Sequence, residues 1–162
     1  MTGKTLREPL RDLAECSLPA ALEAMGERWS FLILRGSFNG LQHFEEFQSQ
    51  LGIARNILAN RLGRLVEHGI LMRKPIPEDR RKIAYRLTDK GYALVPTMVA
   101  LRQWGERWET GVPAYPILVD ARDRRPLLPV SVQAHDGRIL GRGDLIWAAP
   151  DEVAGDMEHA AE

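Results

Sequence analysis

Three observations predict an α+β chain. Leu58, Leu62 and Leu65 recur at the i, i+4, i+7 spacing of a single apolar helix stripe, from about Ala54 to His68, and Gly69 supplies the stop. Two short apolar runs, Ile70-Leu71-Met72 leading into Arg73-Lys74 and Ile83-Ala84-Tyr85-Arg86-Leu87, flank the charged turn Pro77-Glu78-Asp79-Arg80-Arg81-Lys82, a strand–loop–strand pattern. Thr88 followed by Asp89 is a helix start. Together the stretch from Ile53 to Gly91 reads as a winged helix-turn-helix, with a long helix suited to dimerisation behind it and a small C-terminal β appendage.

Residues 1–15 are polar and mixed in charge and are expected to form a flexible arm. Ser17 before Leu18-Pro19 caps a short helix that ends at Gly26. Trp29 to Arg35 is apolar almost all round, as the buried centre of a domain should be, and Phe44, Phe47 and Leu51 mark a third helix before Gly52. After Thr88 a helix to about Thr110 carries Leu94, Met98, Leu101, Trp104 and Trp108. This is more apolar surface than a small domain leaves in water, so it is expected to be the dimerisation element, bent at Pro96. From Pro113 proline and glycine become frequent, and Asp136-Gly137 between apolar runs signals a hairpin. The expected organisation is an arm over 1–15, a winged helix-turn-helix and dimerisation domain over 16–112, a β-hairpin extension over 113–149 and a disordered acidic tail over 150–162.

Charge separates these parts. The 162 residues balance to a net charge of zero, yet 1–112 carry +4 and 113–162 carry −4. Within Ile53–Lys90 ten basic residues face four acids, a local basic surface fitted to a polyanion. No apolar run approaches the roughly 20 residues that span a bilayer, and no signal-peptide pattern opens the chain, so a cytoplasmic protein with no membrane partner is expected. One cysteine, Cys16, excludes an intrachain disulfide and a zinc site built on several thiolates. Arg outnumbers Lys 18 to 4, a hint of a GC-rich bacterial genome.

The ordered set Cys16, Leu22, Gly26, Arg28-Trp29-Ser30, Ile33-Leu34, Phe44-Glu45-Glu46-Phe47, Leu58, Arg61-Leu62, Leu65, Gly69-Ile70-Leu71, Arg73, Tyr85-Arg86-Leu87-Thr88, Gly91 and Trp104 resembles the HxlR family of bacterial transcriptional regulators, relatives of MarR. The resemblance covers more than half the chain and implies a homodimer that binds operator DNA near promoters. It is also consistent with a short C-terminal extension. Two departures stand out. Ala54 replaces the usual Ser or Thr at the start of the recognition helix, which removes a side-chain cap. The wing segment, with Asp79-x-Arg81, looks like that of MarR proper, which implies an Arg at the wing tip entering a minor groove.

Placing Leu58, Leu62 and Leu65 inward at about 100° per residue leaves Asn56, Asn60, Gly63 and Glu67 outward, flanked by Ala59 and Arg64. Asn pairs bidentately with adenine and Arg with guanine. Asn56 and Asn60 are therefore the candidates for base edges, and Arg55 and Arg64 for phosphate or base. Arg80, Arg81 and Lys82 are DNA candidates at an exposed turn. Arg61, off the outward face, fits either an ion pair with Glu45 or Glu46 or a phosphate contact. Cys16, at a helix start that can lower a thiol pKa, is a redox-sensing candidate because the resemblance implies switches at this position; the alternative is a small buried residue.

His43, His68, His135 and His159 show no metal-ligand spacing, and no phosphate loop or nucleophile–base pair is present, so neither an enzyme nor a cofactor is expected. Two functions remain. The first is a homodimeric, sequence-specific transcriptional regulator that reads double-stranded DNA at a pseudo-palindromic operator and responds to redox state or to a small-molecule effector seated between the long helix and the DNA-binding lobe. The second is a protein-interaction module whose C-terminal β appendage is the working surface.

Overall fold

The computed structural model describes residues 17–77, 79–148 and 150–154, with backbone only at Arg80, Arg81 and Pro150. The arm over 1–15, Cys16 and the tail beyond 154 lie outside the described residues. Helices α1 (Ser17–Met25), α2 (Arg28–Phe38), α3 (Phe44–Leu51) and α4 (Arg55–Glu67) are followed by strands β1 (Leu71–Ile76) and β2 (Asp79–Leu87), then by α5 (Asp89–Tyr92) and α6 (Val95–Gly105). This is the expected α+β winged helix-turn-helix.

The periodic stripe of α4 sits where its spacing put it: Leu58, Leu62 and Leu65 are fully buried. They meet Ile33 and Leu34 of α2 and Phe47 of α3, and Ile53, Ile70 and Leu71 close the cluster at the two ends of α4. Only one stripe of α2 is wholly buried, with Phe31 and Leu32 partly buried, so the helix is central without being covered all round. Gly26, at φ 72, turns the chain between α1 and α2, a left-handed conformation that glycine adopts without strain.

Strands β1 and β2 pair antiparallel from Leu71↔Leu87 to Pro75↔Ile83, and then Ile76 pairs with Asp79. The register therefore skips residues 80–82, which form a bulge on β2. Arg80, Arg81 and Lys82, expected in a turn, belong to this bulged strand instead. A charged run carries no in–out alternation by which a strand can be recognised, and a bulge removes the need for one. The loop before α3 adds an isolated bridge to the outer edge of β2: Tyr85 N donates to Gln42 O at 2.7 Å, and His43 bridges Ala84.

The long helix expected after Thr88 is two helices. Its chain turns at Ala93 and Leu94, and Pro96 lies in the first turn of α6, where its missing N–H costs no intrahelical bond. Pro96 thus starts a helix where a mid-helix bend was expected. The last turn, Glu106–Thr110, is π-helical and ends at Gly111 in the left-handed region.

Beyond α6 the compact unit continues to Val130. The reason is side-chain anchorage: the Gln103 amide donates to Leu128 O at 3.1 Å and accepts from Val130 N at 2.7 Å, while Arg102 donates to Pro116 O. Val119 bridges Pro126 around a turn within this segment. A second unit begins at Ser131, where Gln133 bridges Ile139 across the expected Asp136-Gly137 turn. Among the described residues the β content of the extension is isolated bridges, those two closing tight loops, with Trp147 a further bridge residue. Among the described residues no helix is long and apolar enough to cross a membrane.

Candidate nucleic-acid interface

Burial of the leucine stripe fixes what α4 shows to solvent. Asn56, Ala59, Asn60, Gly63 and Glu67 are all exposed. A Cβ added at Gly63 would meet nothing within 4 Å, so the middle of this face is open. The helix starts at Ala54 with no side-chain cap, leaving its first amides to another acceptor. Arg55, beside them, rests its guanidinium 4.8 Å from the Phe44 ring centroid, a cation–π contact that orients it along the α3–α4 turn.

Two arginines of α4 face inward to the protein. Arg61 pairs with Glu27, and Arg64 donates to Glu23 Oε1 at 2.7 Å and to Glu23 O at 3.0 Å. The expected acid for Arg61 was Glu45 or Glu46. Glu46 is instead committed to its own helix start, where its Oε2 accepts from Gln42 N and His43 N at 2.9 Å each. Those two amides hold the Glu46 carboxyl below the usual glutamate range. Glu45 stays exposed. No sequence spacing pointed to Glu23 or Glu27, which lie 41 and 34 residues from their partners.

The wing supplies the second basic surface. Arg73, Lys74, Lys82 and Arg86 are exposed along β1 and β2, and the backbone places Arg80 and Arg81 in the bulge at the tip. His43 Nδ1 lies 3.3 Å from Ile83 O, which ties the wing to the start of α3. Between wing and helices runs a groove of about 640 Å³ with Arg55 on one wall and Lys82 on the other. Thr88 locks the far end: its hydroxyl lies 2.6 Å from Gly69 O and accepts from Gly91 N at 3.1 Å, so α4, β2 and α5 converge on one side chain.

The five residues expected on a dimer face divide into two sets. Leu94 and Met98 are half-buried against the domain's own core, while Leu101, Trp104 and Trp108 stay about half exposed or more. A cleft beside α6 is lined by Val99, Gln103, Leu118 and Leu127.

A helix with a buried leucine stripe and an open outer face, followed by a basic two-stranded wing, is the arrangement to compare with known proteins. The sequence profile of the HxlR-like helix-turn-helix family matches residues 24–112. The chain belongs to that family. An HTH-type transcriptional regulator of Mycobacterium tuberculosis strain H37Rv is 44% identical over 92 residues, which are 57% of this chain and 58% of the relative. This HxlR-like chain therefore spans under three fifths of the length of the first curated relatives it matches. The HTH-type regulator YvaP of Bacillus subtilis is 36% identical over 54% of this chain and 82% of its own. Among solved structures, the candidate transcription factor PA1607 superposes with TM-score 0.77 at 42% identity, covering 83% of this chain and 95% of that one. The redox regulator HypR in its reduced form gives TM-score 0.51 at 26% identity over 56% of this chain and 90% of its own.

Proposed function

We propose that this HxlR-like chain acts as a homodimeric transcriptional regulator, reading a pseudo-palindromic operator with one α4 per half-site. The observation that carries the reading is the pairing of exposed Asn56 and Asn60 with the buried Leu58-Leu62-Leu65 stripe, which aims two base-reading amides away from the core. The wing, with Arg80, Arg81 and Lys82 in its bulge, flanks that helix where phosphates or a minor groove would lie. Leu101, Trp104 and Trp108 supply apolar surface for a second copy, which would set the two α4 helices about one DNA turn apart.

The test is selection of duplexes from a random-sequence pool by the full chain, followed by sedimentation of the complex. Enrichment of an inverted repeat bound two chains at a time supports the reading; its absence at low salt rejects it. Arg81→Ala should weaken binding and lower the salt slope by about one phosphate equivalent.

HypR's name as a redox regulator supports reading Cys16 as the candidate sensor. With one cysteine per chain, oxidation would yield a sulfenic acid or an intermolecular disulfide, seen as a mass increment or a covalent dimer. The alternative, a protein-interaction module acting through the C-terminal part, is separated by truncation after Val130. That cut leaves the anchored segment in place, and DNA binding should survive it.

A further inference from the structure

Arg64 stands on the flank of the reading helix, where a sequence argument assigns it to DNA, yet its guanidinium is turned to the end of α1. It bonds both the carboxylate and the backbone carbonyl of Glu23. That carbonyl belongs to the last turn of α1, whose carbonyls have no intrahelical partner, so a cation there satisfies an acceptor and opposes the negative end of the helix. One turn earlier on the same face, Arg61 grips Glu27, the residue that opens α2. The two arginines thus hold the α1–α2 corner from either side of Gly26. Neither acid lies on the outward face of α4.

We infer that Arg64 and Arg61 are positioning residues: through Glu23 and Glu27 they lock α4 to the α1–α2 corner and set the depth and rotation at which Asn56 and Asn60 reach bases. The inference rests on the DNA-reading function proposed above. Its consequence is that α1 is part of the reading head, and a displacement of α1 is a displacement of α4. The pair is partly exposed, so its effect on fold stability is small, whereas a small rotation of α4 acts on every base contact at once.

The experiment is a charge exchange. Arg64→Glu, Glu23→Arg and the two combined are compared in the full chain, by binding to the selected duplex and to a duplex of unrelated sequence. We expect Arg64→Glu to weaken specific binding three- to tenfold with little change on the unrelated duplex. The exchanged pair should return specific binding to within about threefold of the parent. A merely stabilising contact would lower both affinities together. If Arg64 instead touches phosphate, the exchanged pair will bind as poorly as Arg64→Glu, Glu23→Gln will tighten binding, and the inference fails. A urea-unfolding double-mutant cycle of Arg64→Ala and Glu23→Gln reads the contact without DNA: a small coupling is expected, and coupling found where no duplex is selected places the failure in the DNA-reading function rather than in the contact.

Discussion

Gly91 packs so closely on Ile70 that a Cβ added to it would stand 2.4 Å from the Ile70 carbonyl oxygen. The obstacle is backbone, which cannot swing aside. Gly91→Ala is therefore expected to destabilise the domain by about 1–3 kcal/mol, despite alanine's better helix propensity. A thermal melt that rises would contradict this close approach.

Thr88 serves the same corner with hydrogen bonds. Replacing it by Val keeps the shape but loses the cap on Gly91 N and the contact to Gly69 O, at a cost of about 1–2 kcal/mol. Thr88→Ser, which keeps the hydroxyl, should unfold within a few tenths of a kcal/mol of the parent in urea, and a loss equal to that of Val would show that the methyl packing dominates.

Glu46 gives a pH dependence of known sign. Its folded carboxyl titrates below the ordinary value of 4.5 because Gln42 N and His43 N bond the charged form. Its contribution is therefore fully present above pH 4.5 and is lost as pH falls through the lowered value. Glu46→Gln should flatten that acid limb and leave the melting temperature at pH 8 reduced. An unchanged slope below pH 4.5 would show that other carboxylates govern acid unfolding.

Arg124 adopts φ 60 in the turn between Val119 and Pro126, a conformation that burdens a side chain carrying a Cβ. The corresponding place in the second turn is Gly137, at φ 81. Arg124→Gly should relieve about 0.5–1 kcal/mol locally, and slower proteolytic nicking around residues 120–125 would register it.

On DNA, Asn60→Ala should cost about 1–3 kcal/mol on one half-site base pair and relax selectivity at that position alone. A uniform loss over all sequences would reassign Asn60 to the phosphate backbone.

The helices of the reading head were legible because burial imposes a period: Leu58, Leu62 and Leu65 announce α4, and Phe44, Phe47 and Leu51 announce α3. What escaped has no period. The bridge from Gln42 and His43 to β2 is too short to alternate, and the bulge at 80–82 hides a strand in a charged run. The partners of Arg61 and Arg64 come from a corner brought near only by folding. Pro96 was visible, but whether a proline breaks a helix or begins one depends on where the previous helix stops, and Tyr92 settles that. Leu94 and Met98 look like surface stripe in sequence because their spacing matches that of Leu101, whereas proximity to the core separates them.

The turn at Ala93 and Leu94 has a mechanical meaning. The Thr88 hydrogen bonds tie the turn after α4 to the start of α5, and α6 follows across Ala93 and Leu94 with Leu94 and Met98 packed on the core. The part that carries the wing and the α6 shaft thus meet at one short corner of the chain. If two α6 shafts are bound together in the proposed dimer, the angle held at this corner sets how far apart two α4 helices can be placed on a DNA helix.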